Sequence, residues 1–178
     1  MRKVKLNIRI LVMLALLVGI GTVLHAVMPP LLYGVKPDML LSMMFLGIIL
    51  FPKAQYVLLL ALLTGAMSAL TTGVPGGQIA NMIDKPITAF IFFGLFLLIR
   101  NGVKGSIAAP VLTAVGTMIS GSVFVSVILF VLGTVNKTFI VLFVGVVLPA
   151  VLLNTIIIIV LYPIALTIMK RSRLTSAA

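Results

Sequence analysis

Few side chains in this 178-residue sequence can do chemistry, and most of them fall in two short stretches. Asp38 ends Gly34-Val35-Lys36-Pro37-Asp38, and Asp84 belongs to Gly76-Gly77-Gln78-Ile79-Ala80-Asn81-Met82-Ile83-Asp84-Lys85-Pro86. Each carboxylate, the only two in the chain, therefore has a lysine and a proline within two positions. Groups of both signs suit a zwitterion, with a lysine facing its carboxylate, an aspartate facing its ammonium, and Asn81 or Gln78 completing the hydrogen bonds. The same pairs also read as interfacial ions that merely neutralise one another. With no cysteine, a disulfide, a thiol nucleophile and a thiolate-ligated metal are excluded. One histidine and two aspartates do not make an ordinary metal or acid–base site, so no enzyme and no bound cofactor are expected.

Three further residues are candidates for the same pocket. His25, the one imidazole, precedes Met28-Pro29-Pro30 and reads either as a substrate or proton group or as an interfacial side chain. Asn154 falls in the middle of an apolar run, where an amide needs a partner on a neighbouring helix or in a pocket. Met39, with Met43, Met44, Phe45 and Tyr33, supplies a soft wall suited to a flat apolar ligand, although such residues also face lipid. Ala15, Gly19 and Thr22 are small residues on one helix, a candidate docking face for another helix or subunit. Gly65, Ser68 and Ala69, like Gly116, Ser120 and Gly121, read as internal packing positions.

The elements that must position these groups are membrane helices. The chain is 62% hydrophobic and 8% charged, with mean hydropathy +1.39, far from the composition of a soluble domain. An all-α bundle of six transmembrane helices in one domain, spanning residues 1–178, is expected, over about 10–28, 39–51, 56–70, 87–99, 107–132 and 139–169. The basic Met1 to Arg9 opens a retained first helix rather than a cleaved signal. The net charge of +11 is spread between apolar runs and at the ends, so it reads as topology and not as a nucleic-acid surface. With the N-terminus inside, Arg2, Lys3, Lys5, Arg9, Lys53, Arg100, Lys104, Lys170, Arg171 and Arg173 lie on the inner side. Only Lys36, Lys85 and Lys137 lie outside, which places both termini in the cytoplasm of a multi-pass plasma-membrane protein. Segments 2 and 4 are both too short to span unaided, and each is preceded by one of the charged stretches. The Gly76 to Pro86 loop is thus expected to sink below the outer surface and to form half of a ligand site.

Five stretches carry a family resemblance: His25-Ala26-Val27-Met28-Pro29-Pro30, Gly34-Val35-Lys36-Pro37-Asp38-Met39, Leu50-Phe51-Pro52-Lys53, Gly77 to Pro86, and Leu148-Pro149-Ala150-Val151-Leu152-Leu153-Asn154-Thr155. In order and spacing they resemble the bacterial tryptophan transporters of the TrpP family. That family is related to the substrate-binding S components of energy-coupling factor transporters, which have six helices and an outward-facing pocket. The resemblance implies tryptophan uptake; the residues read here for the amino-acid head group are Asp84, Lys85, Asn81, Gln78, Lys36 and Asp38. It also implies an optional partner, an energy-coupling membrane subunit with its ATPases, because S components dock through small residues of the first helix. No phosphate-binding Gly-Lys-Ser/Thr loop is present, so any ATP coupling comes from other subunits. A vitamin-specific S component and a non-transporting membrane sensor or assembly protein are the alternatives.

Overall fold

The computed structural model describes residues 7–171. Arg2, Lys3, Lys5 and Arg173, four of the cations used to orient the chain, lie outside the described residues. The described chain is helical: α1 Ile8–Val27, α2 Met39–Leu50, α3 Ala54–Thr71, α4 Gly77–Ile99, α5 Gly105–Val131 and α6 Phe139–Arg171. All but α2 are long and apolar enough to cross a membrane. Successive helices alternate in direction, so Asn7, Phe51, Arg100 and Arg171 mark one end of the bundle, and His25, Asp38, Gly77 and Thr138 mark the other.

Prolines and caps set the helix ends. α1 stops before Pro29-Pro30, which cannot donate backbone hydrogen bonds. Asp38 caps α2, its Oδ1 accepting from the Leu41 N–H at 2.9 Å. α2 ends at Phe51, before Pro52. With 12 residues it is about 18 Å long at 1.5 Å per residue, too short for the hydrocarbon layer. It does not need to span: every one of its residues is buried, because α1, α3, α4, α5 and α6 surround it. α2 is the core of the bundle.

α4 corrects the expected boundaries. It begins at Gly77, not Ile87, and runs 23 residues, about 34 Å, so the stretch read as a loop is helix and the segment is not short. Gly76 enters it in the left-handed region at φ 76°, a conformation glycine adopts without steric cost. Pro86 sits inside the helix, where its ring removes one backbone hydrogen bond. The physical reason for the misreading is polarity turned inside out. Gly77, Ala80, Asn81, Asp84, Lys85 and Thr88 form one buried stripe, while Ile79, Met82, Ile83 and Ile87 are exposed on the opposite face. Averaged along the chain, the polar stripe hides an amphipathic helix whose apolar side faces outward.

The packing of α2 against α4 and α5 depends on a missing side chain. Phe45 and Phe92 stack with ring centroids 4.1 Å apart and planes 5° from parallel. A Cβ on Gly116 would lie 2.7 Å from Phe45 Cζ and 2.8 Å from Phe92 Cδ2, closer than packed carbon atoms approach. Gly116→Ala is therefore expected to destabilise the bundle by about 1–3 kcal/mol as the rings are forced apart. A lowered thermal unfolding midpoint in detergent checks this, and an unchanged midpoint contradicts the packing.

Candidate functional site

At the His25 end of the bundle, five elements bring the rare charged groups and their hydrogen-bond partners together. Lys85, on α4, donates from Nζ to Asp38 Oδ2 at 2.8 Å and lies 3.0 Å from Asp84 Oδ2. The side chains of Lys85 and Asp84 are 2% and 0% exposed, whereas that of Asp38 is 23% exposed. Asp84 is held further by hydroxyls: Thr88 Oγ1 donates to Oδ1 and Ser120 Oγ, on α5, donates to Oδ2, both at 2.7 Å. Asp38 is positioned through its backbone, because Asn154 Oδ1 on α6 accepts from the Asp38 N–H at 2.9 Å. Asn154 Nδ2 in turn donates to Thr117 Oγ1 on α5 at 3.3 Å. His25 completes the rim, with Nδ1 3.6 Å from Asp38 Oδ1 and no hydrogen-bond partner of its own.

This geometry rearranges the expected pairing. The two Lys–Asp stretches are not separate neutral pairs, because one lysine, Lys85, serves both aspartates across two elements. Lys85 is buried within the bundle, as expected of a charged group that sinks below the surface, and it sits on a membrane helix, not in a loop. Lys36 and Gln78 are exposed and make no hydrogen bond or ion pair with the cluster. Asn81 is buried, but it faces α3, donating to Gly77 O at 2.9 Å and Ser68 O at 3.4 Å. Met39 is buried at the first position of α2, beside Asp38. Ser120, read from sequence as a packing residue, is a full member of the network, and Thr88 and Thr117 belong to it as well. The signal for Thr88 is its place four residues after Asp84, on the same helix face. Nothing local marks Ser120 or Thr117, which enter through helix packing.

Ionised, the two carboxylates face a single ammonium, leaving one negative charge at membrane depth. The Lys85 ammonium at 2.8 Å and the Leu41 N–H at 2.9 Å hold the Asp38 carboxylate in place. Asp84 and Lys85 have their charges satisfied inside the protein. Asp38 and His25 are the partly exposed members of the cluster, with side chains 23% and 20% exposed. Among the described residues, cavities of about 250 and 320 Å³ lie toward the opposite end of the bundle, around Tyr162 and Leu166.

Membrane-spanning helices that bury ionised side chains against one another define a class: polytopic membrane proteins with a charged site at membrane depth, the arrangement found in carriers of small solutes. Residues 7–170 match the family described as "Tryptophan transporter TrpP". The chain belongs to that family, and it is a multi-pass membrane protein of the bacterial type. It is 54% identical over 168 residues to a "Probable tryptophan transport protein" of Bacillus subtilis, covering 94% of this chain and 96% of that one. Proteins with the same description from Clostridium acetobutylicum and Clostridium perfringens are 35% and 33% identical, over 86% and 96% of this chain and 89% and 98% of theirs. No solved structure matches the chain.

The network makes a stability prediction with an internal control. Lys85→Met leaves the buried Asp84 and the partly exposed Asp38 carboxylates facing each other and is expected to cost about 3–5 kcal/mol, the range for removing one partner of a buried ion pair. Adding Asp38→Asn and Asp84→Asn removes the stranded charges and recovers much of that loss. Thermal unfolding of the single and triple variants measures the difference. A single variant as stable as the parent would show that the ion network is not formed.

Proposed function

We propose that this protein carries tryptophan across the bacterial membrane, taking it up from the His25 end, which is the outer face. Membership of the tryptophan transporter family carries the choice of substrate. The choice of entry face rests on charge. The described cations Arg9, Lys53, Arg100, Lys104, Lys170 and Arg171 gather at the end that carries both described chain termini, and loops rich in Lys and Arg stay in the cytoplasm. The six helices then form an S-component-like bundle with both termini inside.

Among the residues expected from sequence, Asp38 is the principal contact and receives the substrate ammonium, with His25 beside it at the accessible rim of the cluster. Lys85 and Asp84 hold Asp38 in place and set the local charge. Asn154 orients the Asp38 backbone. Met39 borders the same rim, while Lys36 and Gln78, free of the cluster, are available to the carboxylate as it arrives. Asn81 supports the entry of α4 rather than the ligand.

A second feature bears on the energy source. Ala15 and Gly19 are exposed on α1, a Cβ at Gly19 would meet nothing within 4 Å, and Thr22 turns its hydroxyl onto Val18 O at 2.8 Å. That smooth face suits the docking of an energy-coupling membrane subunit with its ATPases, and co-purification of an ATPase with the native protein tests it.

The substrate reports on its own binding, because the chain contains no tryptophan. Titrating tryptophan into purified protein and exciting the indole selectively is expected to give a saturable change in emission. Asp38→Asn should weaken binding by about tenfold or more, the loss of one charge-assisted hydrogen bond of roughly 1.5–3 kcal/mol. A flat titration, confirmed by a second binding method, removes tryptophan as the ligand.

A further inference from the structure

Three inward-facing stripes change character at the same level of the bundle. From the charged cluster toward the Leu50 end, α4 presents Asp84, Thr88, Phe92 and Phe96 at four-residue spacing, all buried. α2 presents Asp38 as its cap, then Ser42, Phe45 and Ile49. α5 runs in the opposite direction and presents Ser120, Gly116, Leu112 and Ala108. Carboxylates and hydroxyls give way on all three stripes to the stacked Phe45–Phe92 pair, seated on Gly116. Phe92 lies eight residues beyond Asp84, about 12 Å along the helix, and Phe96 about 18 Å. One helical turn to either side of the pair, Ser42 Oγ and Thr113 Oγ1 are buried without hydrogen-bond partners, unused polar capacity on the line that joins the two compartments.

One turn of α4 past Phe92, toward the Leu50 end, opens the cavity of about 320 Å³, walled by Ile49, Phe96 and Ala108, with Arg100, Asn101 and Tyr162 on its polar side; neither ring of the pair lines it. Its volume falls in the range of small-ligand sites. Apolar walls with one guanidinium at the mouth suit an amino acid that has a flat aromatic side chain and a free carboxylate. Lys85 is poorly placed to take that carboxylate, because two aspartates already hold it. We propose that this cavity is a second, inner substrate site from which the amino acid is released, and that the Phe45–Phe92 pair is the gate between it and the charged cluster. The inference rests on the tryptophan-transport reading and adds to it an exit path through the chain itself.

The absence of native cysteine allows a direct test. The full-length protein carrying Ala108→Cys is reconstituted in liposomes and labelled with a membrane-impermeant maleimide from the Arg100 side, while tryptophan binding is followed by indole emission in the same preparation. Tryptophan at about ten times its dissociation constant is expected to slow labelling about tenfold, as occupancy excludes the reagent. Alanine at the same concentration should have no effect, and Arg100→Gln should abolish the protection. Adding Phe92→Ala, with Phe92→Leu as the variant that keeps a packed core, should let reagent applied from the His25 side reach the same thiol. Labelling indifferent to tryptophan in protein that still binds it overturns the inner site and leaves the transport reading standing. Unchanged access from the His25 side in both Phe92 variants overturns the gate. No tryptophan binding in the Ala108→Cys protein or its parent overturns the transport reading and the inner site with it.

Discussion

The structure depends on one lysine shared by two aspartates. Lys85 is almost fully buried, and so is Asp84, in a bundle whose helix exteriors are apolar. A lone charge at that depth is expensive, and the expense disappears only when partner, geometry and remaining hydrogen bonds are all supplied. Here α2 contributes the second carboxylate through its cap, α5 and α4 contribute hydroxyls, and α6 fixes the cap's backbone with an amide. Four helices must therefore arrive in register for the ions to be tolerated. The cluster acts as a positional lock.

That lock explains the unusual form of α2. A helix of 12 residues is of no use as a span, and its sequence of Met, Leu, Ile and Phe carries no polar face to offer water or a headgroup. Surrounded on all sides, it serves instead as a central peg with a charged head. The opposite polarity of α4 follows from the same constraint: its hydrogen-bonding residues turn inward because the peg's carboxylate is there, and its isoleucines turn outward because the hydrocarbon is there.

A solute carrier must let a polar substrate enter an apolar structure without leaving charges exposed. The cluster is graded in exposure: Asp84 and Lys85 are sealed, and the side chains of Asp38 and His25 are partly exposed. Asp38 is thus both the structural counter-ion of Lys85 and the group closest to solvent. Any solute that pairs with it also perturbs the contact holding α2 to α4, which links occupancy of the site to the packing of the bundle's core.

Sequence alone determined that the chain lives in a membrane, that it is helical, and that the second segment is short. These follow from composition and apolar run length, which are properties of single positions and their neighbours. The resemblance of the Gly77 to Pro86 stretch to the TrpP family was legible for the same reason. Tertiary structure decided the rest. Run length mistook the first ten residues of α4 for a loop, because an inward polar stripe lowers mean hydropathy as much as a true loop does. The local spacing of Lys36-Pro37-Asp38 and Asp84-Lys85-Pro86 pointed to two neighbour pairs; the Asp84–Lys85 pair is there at 3.0 Å, but Asp38 bonds Lys85 across 47 positions of sequence instead of Lys36. Ser120 and Thr117 gave no local sign of their roles, since a hydroxyl in a membrane helix reads as packing until its partner on another helix is known. Charge pairing in a low-dielectric bundle is set by which helices touch, and that is a property of the fold, not of the neighbouring residue.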